Sequence, residues 1–340
     1  MSKIIAIFAG HGVSSDGTWD SGCAYGKYTE AALVEQITKS AVYYLKQCKL
    51  KVITDVPGNR INMNVQIGKA NEAKADLFVS VHCDYWKASS GTIPLYKSEA
   101  GRKAATIMNR YVKKYTSLRT RGLSRRTDLK ELNATNMPAV IFECGAIKAD
   151  IDILTHEYDA IGFGLARGIC EYLNVEFEPV QYILLQKLAG LEKAILKQKF
   201  RYDGKSTNIN FANAVKGDKK INCALFISWG LQRTKVLNFK QRIWLGNKVH
   251  GNGASALKAK CKVMHPDKYP HNCDLHIGDV VGFQWGSSSK NLVHTMVFMG
   301  FDKRRPIWFT CGSSDIKAKD LSRKRSAYES KRIKTICRLT

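Results

Sequence analysis

Four residues in this chain have the types and the placement to do chemistry together. His11 stands in Ala9-Gly10-His11-Gly12, His82 in Ser80-Val81-His82-Cys83-Asp84, and Glu143 closes Pro138-Ala139-Val140-Ile141-Phe142-Glu143. Each ends a short apolar run that reads as a buried strand: 4–8, 77–81 and 139–142. Working groups of an open α/β sheet gather at the carboxyl ends of its strands, so these three are expected on one edge. Glu30 falls in the first turn of a helix predicted to start near Thr29, facing the loop that carries His11. Two imidazoles and a carboxylate suit a catalytic zinc, which takes three protein ligands and keeps one position open. With His11, Glu30 and His82 as ligands, Glu143 is left as general base. Taken singly, each also reads as a satisfied strand-end histidine or a solvated glutamate. Their joint placement favours the metal site.

A second constellation lies further on. Cys223 opens an apolar helical stretch, 221–231, and a helix N-terminus favours the thiolate. His294 opens a strand after Gly278-Asp279-Val280-Val281-Gly282-Phe283 and could serve Cys223 as general base. A third residue to orient the histidine is expected on the following strand. Thr310 fits that register but orients an imidazole poorly, and Asp315 lies slightly beyond. The competing reading is a buried structural cysteine. Cys261, His265, His271, Cys273 and His276 also cluster, but in no recognisable zinc-site spacing, and read as a loop with polar residues.

The elements that must position these groups fall into two patterns. Residues 1–176 alternate strand and helix, with helices predicted from Thr29 and over 64–74, 99–115 and 151–173, and a strand over 51–54. That alternation predicts an α/β domain, a mixed sheet flanked by helices. Pro179 marks a joint; 177–200 reads as a linker with a helix over 181–200, either connecting or the first of a second domain. Residues 201–340 read as α+β, with successive, antiparallel strands over 280–285, 294–300 and 307–311.

Charge separates the halves as well. Residues 1–176 hold 23 basic and 18 acidic side chains (+5), whereas 177–340 hold 31 and 11 (+20). The second half therefore implies a polyanionic partner, nucleic acid or an anionic cell wall. No nucleic-acid recognition motif accompanies the charge. No apolar run approaches the ~18–20 residues of a membrane span, and none resembles a signal h-region. Synthesis in the cytoplasm with reduced thiols is expected; the ten cysteines show no framework spacing.

The first set of segments resembles the zinc-dependent N-acetylmuramoyl-L-alanine amidases (Amidase_3). Members carry AGHG, a Gly-rich loop with a Glu opening a helix, SxHxN/D and PAVLxExG; here AGHG lies at 9–12, then Glu30, SVHCD at 80–84 and PAVIFECG at 138–145. The resemblance implies zinc on His11, Glu30 and His82, with Glu143 catalytic, and hydrolysis of the lactyl–L-alanine amide of peptidoglycan. Cys83-Asp84 departs from the small residue and Asn of many members. Residues 190–315 resemble the NlpC/P60 and CHAP cysteine peptidases, which are papain-like, although Asn222 replaces the usual Asp before the cysteine. Together the resemblances imply a bifunctional peptidoglycan hydrolase similar to a phage or prophage endolysin. It would be made in the host cytoplasm and act on the wall after release. Its expected partners are peptidoglycan and anionic wall polymers, with no nucleic acid and no membrane insertion; oligomeric state is left open. The alternative is a single-activity amidase whose basic second domain is a non-catalytic wall-binding module.

Overall fold

A computed structural model describes residues 2–202, 210–245, 249–264, 275–285, 292–303, 305–309 and 333–340. Two compact units divide the chain, Met1–Pro179 and Val180–Thr340.

The first unit begins with β1 (Lys3–Ala9), followed by two small hairpins: β2 (Gly12–Val13) with β3 (Trp19–Asp20), and β4 (Ala24–Tyr25) with β5 (Tyr28–Thr29). Then come α1 (Glu30–Leu45), β6 (Leu50–Ile53), α2 (Met63–Glu72), β7 (Leu77–Asp84), β8 (Ile93–Tyr96), α3 (Glu99–Tyr115), β9 (Ser124–Arg125), α4 (Lys130–Asn133), β10 (Ala139–Ala146), α5 (Ile151–His156) and α6 (Tyr158–Tyr172). The sheet runs β6-β1-β7-β10-β8-β9, with β6, β1, β7 and β10 parallel and β8 antiparallel to β10. It is the mixed sheet flanked by helices that the alternation predicts.

Both faces are covered, which is why the central strands read as continuous apolar runs. Helices α1, α3 and α6 pack together on one face. Ile67 and Ala70 of α2 and Leu132 of α4 pack on the other, against Ala6, Phe8, Phe78 and Ile141. The single helix expected over 151–173 is two helices, because Glu157 leaves helical geometry (φ −114°, ψ 16°). Its side chain turns back to accept the Ser117 backbone N–H at 2.7 Å, fixing that break.

In the second unit α7 (Val180–Lys197) packs on α9 (Cys223–Arg233). Between them lie β11 (Arg201–Tyr202), α8 (Phe211–Lys216) and β12 (Lys220–Ile221). Beyond α9 come the pair β13 (Trp244–Leu245) and β14 (Val249–His250), then α10 (Ala254–Lys258). A five-stranded sheet follows from β15 (Cys261–Met264), β16 (Val280–Trp285), β17 (Leu292–Asp302), β18 (Arg305–Phe309) and β19 (Ile333–Leu339), in the order β15-β19-β16-β17-β18, all antiparallel. The strands expected over 280–285, 294–300 and 307–311 correspond to β16, β17 and β18, the last ending at Phe309.

Candidate active site

Strand alternation aims the site. Phe78, Ser80 and His82 share one face of β7, and Ala139, Ile141 and Glu143 the same face of β10. Phe78 and Ile141 enter the core below, so His82 and Glu143, register partners, emerge at the carboxyl end above it. The chain turns sharply after β1: His11 (φ 64°) and Gly12 (φ 97°) both lie in the left-handed region. A side chain at Gly10 would put its Cβ 2.2 Å from His82 Cε1, so glycine is what leaves room for that ring. Glu30 is the first residue of α1 and is buried. Its Oε1 accepts the Cys83 backbone N–H (3.0 Å) and its Oε2 that of Cys23 (3.2 Å), tying the helix start to the end of β7.

The carboxylate of Glu30 sits between the two imidazoles. Glu30 Oε2 is 3.1 Å from His11 Nε2, and Oε1 is 3.0 Å from His82 Nδ1. One donor atom from each of the three lies within 4.8 Å of the others. The outer ring nitrogens are held too: His11 Nδ1 by Asp20 Oδ2 at 2.7 Å, and His82 Nε2 by Ser80 Oγ at 3.1 Å. Burial works against charge on all three groups, but the pairing wins. Glu30 and Asp20 raise His11 above its ordinary range, Glu131 and Glu30 raise His82, and the two imidazoles hold Glu30 well below the carboxylate range. Both imidazoles therefore favour the protonated form more than a free histidine does, and a metal at the site would compete with those protons.

Glu143 is different. Burial pushes its carboxyl up to about 7, against the opposing effect of His82. Among the described residues its Oε2 is buried with no hydrogen-bond partner. Two glutamates of one site, Glu30 buried and Glu143 half-buried with its Oε2 enclosed, are thus driven in opposite directions, one held as an anion and one raised toward neutrality. Asp84, where the sequence departs from many amidases, pairs with Arg121 at 2.8 Å.

Sequence reasoning missed Asp20, Ser80 and Glu131. Asp20 had one available signal, a carboxylate in the loop just after His11. Glu131 had none: it sits in the four-residue α4, 3.9 Å from His82 Nε2, and His82 and Ser80 hold it below the usual range despite its burial. It lines an open cavity of about 370 Å³ with His11, Asp20, Asn62, Gln66 and His82.

Of the second constellation, Cys223 is the first residue of α9, capped by Asn222, which accepts the Leu225 N–H at 2.9 Å. Helix α9 packs on β17, the strand that carries His294, and the Thr295 backbone favours the Cys223 thiolate, which puts the cysteine beside that strand. Both residues are buried, and burial raises the thiol. Thr310 and Asp315 lie outside the described residues, as do His265, His271 and Cys273.

Residues 5–171 match the family model described as N-acetylmuramoyl-L-alanine amidase. Over 194 residues the chain is 32% identical to an endolysin of Bacillus phage SPP1, covering 52% of this chain and 68% of that one. It is 35% identical over 188 residues to an uncharacterized 38.4 kDa protein of Clostridium perfringens, covering 51% of this chain and 52% of that protein. The chain thus spans about half the length of that Clostridium relative. The catalytic domain of CwlV, an N-acetylmuramoyl-L-alanine amidase from Bacillus (Paenibacillus) polymyxa var. colistinus, is 28% identical with a TM-score of 0.46, covering 51% of this chain and 99% of that one. The first half of this chain belongs to the N-acetylmuramoyl-L-alanine amidase family.

Proposed function

We propose that the chain is a peptidoglycan hydrolase whose first unit cleaves the amide between the lactyl group of N-acetylmuramic acid and L-alanine. One observation carries this reading: three metal-ligand side chains converge within 4.8 Å, beside a glutamate left without a partner for its buried Oε2. The donor set fits zinc, with two imidazole nitrogens and one carboxylate whose orientations are fixed by Asp20, Ser80 and the Cys23 and Cys83 backbone. Zinc held there supplies Lewis acidity to the scissile carbonyl and to the attacking water. Glu143 takes a proton from that water as its oxygen bonds to the carbonyl carbon. It then delivers the proton to the departing nitrogen as the C–N bond breaks. The products are a lactyl carboxylate and a peptide with a free L-alanine amino terminus. Burial raises that carboxyl in the metal-free site, and a zinc ion beside it would favour the anion that accepts the proton.

For the second unit, the placement of Cys223 beside the His294 strand supports a second, papain-like activity. The cysteine would attack a stem-peptide or cross-bridge amide, with His294 as its base. The chain would then act on the wall as a released, endolysin-like enzyme. Among the described residues no helix is long and apolar enough to cross a membrane.

The test is product analysis by mass spectrometry on purified peptidoglycan digested with the intact chain, Glu143→Ala and Cys223→Ala. New L-alanine amino termini that disappear only with Glu143→Ala are expected. Their persistence in that variant would sink the amidase reading. A second cut lost only in Cys223→Ala is expected as well, and an unchanged product set would make the basic unit a binding module.

A further inference from the structure

Three exposed side chains stand where three chain segments meet beside Glu30 and Glu143. Cys23 Sγ donates to the carbonyls of Cys83 and Asp84, both at 3.7 Å, which fastens the β4–β5 hairpin to the end of β7. The Ile147 N–H donates to Asp84 O at 2.8 Å, fastening the end of β10 to the same point. Just past these ties come Tyr25 on the hairpin, Trp86 after β7 and Lys148 after β10. Lys148 Nζ lies 5.7 Å from the Tyr25 ring centre and 5.9 Å from that of Trp86, so one ammonium bridges both rings. Lys87 Nζ sits 4.7 Å from the centre of the Trp86 ring.

The rings are not there to fill a core. Tyr25 is 39% exposed, Trp86 48% and its neighbour Tyr85 54%. Large aromatic rings left in water, clustered just past the carboxyl ends of β7 and β10, mark a binding surface more than a packing one. The loop that carries Trp86 is also held firmly. Buried Asp150 accepts the Ser90 hydroxyl at 2.6 Å and the N–H groups of Gly91 and Ala146 at 2.8 and 2.9 Å. Arg121 joins Asp84 to the Gly91 carbonyl at 2.9 Å. An exposed indole carried on a loop so held can stack on the C–H face of a pyranose ring at lower ordering cost than one on a free loop. The bridging ammonium would meet a carboxylate or amide oxygen carried by that ring.

We propose that Tyr25, Trp86 and Lys148 form a saccharide-stacking platform that holds a sugar ring of the glycan strand at the rim of the amidase site. This rests on the peptidoglycan reading above, and it names which part of the polymer lies on the Glu143 side of the site.

The test uses the full chain carrying Glu143→Gln and, as probe, soluble peptide-free glycan strands. High salt suppresses attraction by the basic second unit. Trp86→Ala or Tyr25→Ala is expected to weaken binding about tenfold, the scale of losing one aromatic anchor. Trp86→Phe should restore most of it. In the active chain the same changes should raise KM on peptidoglycan about tenfold with kcat within about twofold. All three positions are exposed, so thermal midpoints should be unmoved. Equal binding and equal KM in wild type and both alanine variants would overturn the platform. So would competition by glycan-free stem peptide but not by glycan strands, which would give the surface to the peptide. If Glu143→Ala still releases L-alanine amino termini, it is the amidase reading that fails, independently of how Trp86→Ala behaves.

Discussion

Replacing Glu143 by Gln in the metal-free protein measures what it costs to keep a carboxyl where the chemistry needs one. Burial raises that carboxyl from 4.5 to about 7 in the folded chain, while the unfolded chain keeps the ordinary value. Between these values the folded state binds the proton more tightly than the unfolded state. Stability is therefore greatest below the unfolded value and is lost as pH rises through about 7. At full burial the displacement corresponds to roughly 3 kcal/mol. Glu143 is partly exposed, and the effective dielectric at such sites reduces the expected penalty to about 1–2 kcal/mol. Glutamine carries no charge at either pH, so Glu143→Gln should be close to wild type at pH 5 and more stable at pH 8. For a unit of this size the gain at pH 8 is about 3–6 °C in midpoint. Thermal denaturation in chelator reads it, following the transition that added zinc shifts, which assigns the signal to the first unit. A difference between variant and wild type that is the same at both pH values would refute the claim that burial loads this carboxyl.

Four further outcomes follow from the same geometry. Gly10→Ala places a methyl group 2.2 Å from His82 Cε1, so the ring must move and amidase turnover should fall at least about a hundredfold, with zinc uptake weakened in a chelator competition. Glu131→Gln removes the charge 3.9 Å from His82 Nε2 and should weaken zinc binding about tenfold or more; unchanged affinity would leave Glu131 as a cavity wall only. Chelator should abolish release of L-alanine termini and zinc restore it. Because His11 and His82 are both raised, zinc binding should expel protons and weaken steeply as pH falls, which calorimetry in buffers of different ionisation enthalpy would show; binding without proton release would contradict the paired, protonated histidines.

Much of the first unit was legible because its signals are local. Runs such as 77–81 and 139–142 read as buried strands because they are short, β-branched or aromatic, and bounded by polar residues, and they pair in β7 and β10. Strand alternation then puts Ser80 with His82, and Ile141 with Glu143, whatever the rest of the chain does. Where the local signal was weak, the reading blurred. The break at Glu157 lies inside an otherwise unbroken helical pattern and depends on a hydrogen bond to Ser117, forty residues earlier in the chain.

Residue types and order along the chain were enough to nominate His11, Glu30, His82 and Glu143, because strand ends and a helix start are places the sequence marks directly. Tertiary structure alone decided what those residues become. The Glu30 carboxylate lies between two imidazoles because α1 is tied to Cys83, and Glu143 is raised because the fold leaves its Oε2 dry and unpaired. Asp20, Glu131 and the Tyr25–Trp86–Lys148 cluster come from separate loops and short elements with no periodicity to announce them. A sequence records which groups are present, whereas desolvation and charge pairing depend on distances of a few ångströms that only packing sets.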